Sequence, residues 1–147
     1  MIQRYLIIVI ALCALSSCST EEKKDKKYLS GHLTSLIPTL GRCYNHVIII
    51  PGSGCSGCIT VAEDFLKNNY KNPEYLFILT NIASLKILSY KVGFNVVNVK
   101  NIIIDYRNEY SHFYLSIYPK VINYNCRKSK IENITYQQPG TNAFAIF

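Results

Sequence analysis

The feature that most constrains this chain is a strand-like run that stops just before two cysteines at the head of an amphipathic helix. His46-Val47-Ile48-Ile49-Ile50 is continuous, apolar and mostly β-branched, and Pro51-Gly52 ends it. Without polar alternation, such a run predicts a strand buried on both faces of a parallel or mixed sheet. Pro51-Gly52-Ser53-Gly54 then turns into Cys55-Ser56-Gly57-Cys58. From there Cys58, Val61, Ala62, Phe65 and Leu66 recur at helical spacing, with Glu63, Asp64, Lys67 and Asn68 on the other side. The acids come early and Lys67 late, the order a helix dipole favours.

Two thiols with two residues between them can close a small disulfide. At a helix N-terminus, free backbone N–H groups and the positive end of the dipole stabilise a thiolate at the first position, Cys55. That thiolate is the attacking species in disulfide exchange, and a second thiol at Cys58 resolves the mixed disulfide. Gly57 places no steric wall before an approaching partner. A CxxC alone is weak, but strand–CxxC–helix within a βαβ pattern is a redox signature. Rival readings share these residues. Zinc needs about four ligands, no His adjoins the pair, and Cys43 and Cys126 are distant in sequence. Covalent haem attachment needs His directly after the second cysteine, but residue 59 is Ile. A purely structural Cys55–Cys58 disulfide stays open.

Further elements surround the pair. Tyr75 to Leu79 predicts a second strand. Asn81 is positioned to cap a helix carrying Ile82, Leu85, Ile87, Leu88 and Val92, with Gly93 as its stop. Ile102-Ile103-Ile104 predicts a third strand. Pro119 opens the alternating run Lys120 to Tyr124, and a polar turn at 126–130 leads to a hairpin partner over 131–136. Residues 28–45, broken by Pro38 and Gly41, and residues 106–118 support no assignment. His46 starts a strand at the end away from the cysteines, and His32 and His112 read as loop residues without a partner motif. The tyrosines at 106, 110, 114 and 118 read as packing and surface groups.

The N-terminus reads as an address. Arg4 precedes an apolar run from Tyr5 to Leu15, too short for a span of about 20 apolar residues, and the small residues Ser16 and Ser17 follow. Leu15-Ser16-Ser17-Cys18 resembles the bacterial lipobox. That resemblance implies a signal peptide over 1–17 that takes Cys13 with it, lipid on Cys18, and a place in the cell envelope outside the cytoplasm. Of the six cysteines, Cys43, Cys55, Cys58 and Cys126 then remain where disulfides persist. Residues 18–27 read as a solvated tether, since Ser19 to Lys27 contains no apolar residue. The formal charge is +7, but four of the lysines lie in that stretch among Glu21, Glu22 and Asp25. A nucleic-acid partner is therefore not expected for a lipid-anchored chain.

Over residues 46–136 the chain resembles the thioredoxin-like superfamily: strand, CSGC at 55–58, helix, strand, helix, then Tyr118-Pro119 before a hairpin. The segment between the second helix and Pro119 looks like that of membrane-anchored extracytoplasmic oxidoreductases in the family. The resemblance implies an α/β fold with a central mixed sheet flanked by helices. It makes residues 28–147 one domain and gives Pro119 the role of the family's cis-proline, packed beside the cysteines to position substrate. In such a sheet the strand after Pro119 runs antiparallel to 46–50. Excursions of about 20 Å, at ~3.3 Å per residue, then carry Cys43 and Cys126 to the same far end, which implies a structural disulfide between them. Such a bond typically contributes about 2–4 kcal/mol. The chain departs from the family in having Gly54 before the first cysteine, no carboxylate in strand 46–50, and no final helix.

The expected activity is thiol–disulfide exchange on extracytoplasmic protein thiols and disulfides. Cys55 would be the nucleophile, Cys58 the resolver and Pro119 the positioning residue, with no organic cofactor and no metal. The alternative is an envelope or binding module with the same fold and an inert pair.

Overall fold

A computed structural model describes residues 18–111 and 115–145. The expected signal peptide, 1–17, lies outside the described residues, as do His112 and Tyr114. Five strands form one mixed sheet: β1 (His46–Pro51), β2 (Tyr75–Thr80), β3 (Ile102–Asp105), β4 (Lys120–Asn125) and β5 (Lys130–Tyr136). The spatial order is β3-β2-β1-β4-β5. β1 pairs parallel with β2, which pairs parallel with β3. On its other side β1 pairs antiparallel with β4, and β4 with β5. Helices cover both faces, an arrangement compatible with a thioredoxin-like fold.

The continuous apolar character of β1 follows from this cover. Ile48 and Ile50 face a cluster containing Ile59, Ala62 and Leu66 of α2 (Ser56–Asn69) and Leu88 and Val92 of α3 (Leu85–Val92). Val47 and Ile49 face the opposite cluster, with Leu29, Leu33 and Ile37 of α1 (Cys18–Thr39). All four strand residues are buried, as a strand covered on both faces requires.

α1 corrects two expectations. Residues 18–27 are not a free tether but the first turns of this helix, and His32 lies within it, its ring stacked on Tyr28 at 4.0 Å. The physical reason is one stripe: Asp25, Leu29, Leu33 and Ile37, spaced by four, all face the sheet and are buried. Glu22, Lys23, Lys24 and Lys27 on the outer side are exposed, as a solvated stretch requires. Pro38 sits in the last turn, where it ends the helix rather than preventing it.

Elsewhere the differences are local. Ser84, not Asn81, caps α3, its hydroxyl accepting from the Ile87 N–H at 3.3 Å. Asn81 instead leaves β2 with φ 53°. Gly93 does stop α3, at φ 82° with its N–H donated to the Ser89 carbonyl. The C-terminal residues form turns among those described, and Phe144 stacks on Phe65 of α2 at 4.6 Å. Gln137 holds that tail by accepting from the Ala143 N–H and donating to the Thr141 carbonyl.

Candidate redox site

β1 delivers the chain to its C-terminal end, and the 51–54 turn carries it into α2. Cys55 is the N-cap of α2, and its carbonyl accepts the first helical bond from the Ile59 N–H at 2.9 Å. Its sulfur accepts from the Cys58 N–H at 3.4 Å. A cap is where backbone donors have no helical partner, so the first cysteine's sulfur sits where negative charge is favoured. Cys55 and Cys58 are joined by a disulfide, with Cα atoms 5.3 Å apart. Cys55 is half-exposed, Ser56 and Gly57 are exposed, and Cys58 is 4% exposed. An incoming sulfur therefore reaches Cys55 first.

The loop before β4 closes over the pair. Leu115 to Tyr118 form a turn, the Tyr118 N–H donating to the Leu115 carbonyl, and the Ile117 carbonyl accepts from the Cys55 N–H at 3.2 Å. Gly54 makes this approach possible: its φ is 136°, and a Cβ there would run into the Ile117 backbone. The glycine before the first cysteine is thus required by contact. Gly52 is pressed in the same way against the backbone of Asn81 and Ile82. The Asn81 side chain donates to the Ser53 hydroxyl at 2.7 Å, bracing the turn.

Pro119 is buried and leads into β4 beside β1. No cis peptide bond occurs among the described residues, which corrects the expectation of a cis Tyr118–Pro119 bond. The close approach is achieved through the glycine at 54 and the 115–118 turn, and the bond keeps the trans form that peptides generally prefer. Pro119 itself is fixed by its carbonyl, which accepts from the Gln137 N–H at 2.9 Å.

At the opposite end of the β1–β4 pair, a disulfide joins Cys43 to Cys126, with Cα atoms 5.9 Å apart. Cys43 is exposed and Cys126 half-buried. Among the described residues no group of three or more His, Cys, Asp or Glu is placed to hold a metal, and no helix is long and apolar enough to cross a membrane. Two grooves of about 560 and 400 Å³ run along α1, and neither is lined by Cys55 or Cys58.

Sequence reasoning missed a buried charge cluster. Lys120 and Asp25 are both buried, with Nζ 3.5 Å from Oδ2, and the Tyr136 hydroxyl donates to the same oxygen at 2.6 Å. Burial pushes the Lys120 pKa down while Asp25 pulls it up. Burial also pushes the Tyr136 phenol up, and Asp25 adds to that shift. A signal was present: Lys120 shares strand parity with the apolar Ile122 and Tyr124, and Asp25 shares helical spacing with Leu29 and Leu33.

Comparison with protein-family models, with curated proteins and with solved structures finds no match to this chain.

Proposed function

We propose that the chain is a thiol–disulfide oxidoreductase acting on protein thiols and disulfides outside the cytoplasm. The observation that carries this reading is the asymmetry of the pair: a half-exposed Cys55 at the N-cap of α2, bonded to a buried Cys58. In the reduced form the Cys55 thiolate attacks one sulfur of a substrate disulfide. A Cys55–substrate disulfide forms, and the other substrate sulfur leaves as a thiolate. The Cys58 thiolate then attacks Cys55 Sγ, re-forming the internal disulfide and releasing the second substrate thiolate. Two electrons pass to the substrate, and a reduced protein dithiol restores the pair by the same steps in reverse. Pro119, buried two residues after Ile117, is the proposed positioning residue.

Both disulfides are compatible with an extracytoplasmic location. On the same reading Cys18 carries lipid. Seven residue steps along α1, about 10 Å at 1.5 Å each, lead from it to the buried Asp25. The anchor would thus hold the domain against the bilayer with no slack between them.

The test is insulin reduction, with covalent trapping. The proposal expects Cys58→Ser to accumulate a mixed disulfide through Cys55, and Cys55→Ser to accumulate none. Equal inactivity with nothing trapped would favour the binding-module reading. The absence of a carboxylate from β1 to take the Cys58 proton is the feature on that side.

A further inference from the structure

The exchange steps above give no role to the buried charges. Lys120 directly follows Pro119, and its side chain is 1% exposed. Its ammonium meets Asp25 of α1 and lies 5.9 Å from the ring centre of Tyr136, its register partner on β5. Three elements therefore converge on one carboxylate oxygen. The other oxygen, Asp25 Oδ1, is buried without a hydrogen-bond partner among the described residues. Two desolvated charges are a poor source of stability, since apolar residues of similar volume often stabilise as well or better. What directional contacts supply in their place is a fixed geometry.

That geometry bears on the redox site through the backbone. On one side of Tyr118-Pro119, the Ile117 carbonyl is tied to the Cys55 N–H and Gly54 rests on the Ile117 backbone. On the other side, the Pro119 carbonyl is tied to Gln137, and Lys120 to Asp25. The short segment is pinned between the nucleophile and the charge cluster. The cluster sits on the α1 face, because Ile122 and Tyr124 share Lys120's parity and pack with α1, while Val121 packs with α2. Besides the pairing of Lys120 with Ile49 of β1, its link to the groups that touch Cys55 is the loop.

We propose that Asp25 and Lys120 are positioning residues that fix the 115–119 loop against Cys55, so that a polypeptide disulfide is aligned for attack. The proposal rests on the oxidoreductase reading. Its test compares the wild type with Asp25→Asn/Lys120→Met, which removes both charges together and leaves Tyr136 an acceptor. Two rates are read on the reduced protein: kcat/KM for insulin, which needs the loop, and alkylation of Cys55 by iodoacetamide, which does not. The expected result is a loss of about tenfold or more on insulin, the scale of a small misalignment, with alkylation unchanged within about twofold. Tyr136→Phe, which keeps the ion pair, serves if the double variant does not fold, and should shift the same ratio by a smaller factor. Both rates unchanged in a folded variant overturn the proposal, and so do rates that fall in parallel, which would mark a general distortion. A wild type inactive on insulin sinks the oxidoreductase reading and this proposal with it. An active wild type with an unchanged variant sinks this proposal alone.

Discussion

Two disulfides sit at opposite ends of the β1–β4 pair, one spanning 3 residues of sequence and the other 83. At the first, the backbone already places the sulfurs: the cap at Cys55, the Ile117 contact and α2 hold the cysteines near each other whether or not the bond exists. At the second, the bond itself joins the segment entering β1 to the turn leaving β4. A bond whose partners are held by other forces is free to break and re-form, whereas one that closes a long loop restricts the unfolded chain. On the oxidoreductase reading, sequence separation sorts the exchanging disulfide from the structural one, although exposure alone does not, since Cys43 is itself exposed.

That contrast can be broken by substitution. Cys43→Ser/Cys126→Ser should cost about 4.5 kcal/mol of unfolding free energy, the chain-entropy figure for a loop of this length, while insulin reduction by the folded variant persists. Urea denaturation and the insulin assay together check this, and a loss below about 1 kcal/mol would remove the distinction. Gly54→Ala should cost about 1–3 kcal/mol, because it puts a side chain at φ 136° and against the Ile117 backbone. It should also slow exchange at Cys55, an effect transmitted by backbone rather than sulfur. Cys55→Ser/Cys58→Ser should cost only about 1–2 kcal/mol, the short-loop limit of the same entropy argument, and abolish exchange. A thermal melt showing an equal loss at both ends would contradict the account.

The gentlest probe is pH, with both disulfides intact. Burial raises the Tyr110 and Tyr136 phenols above their ordinary value of 10. A raised folded pKa means stability fully present below pH 10 and lost as pH climbs through the folded values. Lys120, lowered by burial, runs the other way: stability rises with pH between its folded value and 10.5, where the unfolded chain binds the extra proton. Tyrosinate absorbance should therefore lag the exposed phenols until the fold opens. Removing Asp25 and Lys120 together should abolish the rising limb and weaken the falling one, because Asp25 adds to the Tyr136 shift.

Much of the fold was legible because its strands obey one rule. Ile48 and Val47 are both apolar, so β1 had to be central, and Ile102–Ile104 and the 120–136 hairpin were set out by β-branching and turn residues. The topology the thioredoxin-like resemblance implies, with the strand lengths, put Cys43 and Cys126 at one end, and their Cα atoms lie 5.9 Å apart. α1 was not legible from residues 18–27, because a helix whose residues from Ser19 to Lys27 are all polar hides its stripe until Leu29 and Leu33 are aligned with Asp25. The pairing of Cys55 with Cys58 was legible, since a CxxC lies within one short segment. The Ile117 contact was not, because a carbonyl that meets Cys55 across 62 positions leaves no trace in residue type. Its shadow was Gly54, visible only as a departure from the family pattern. The peptide geometry at Pro119 likewise depends on that loop, and no spacing encodes it.

The Cys43–Cys126 link also has a mechanical reading. A pull applied at the two ends of the chain would travel through α1 to Cys43, cross the covalent bridge to Cys126, and leave through β5. Everything from β1 to β4, with Cys55 and Cys58 inside it, lies on a closed ring that carries no tension. Stretching would peel the flanking helix and the last strand from the sheet, while the Cys55–Cys58 pair stayed slack.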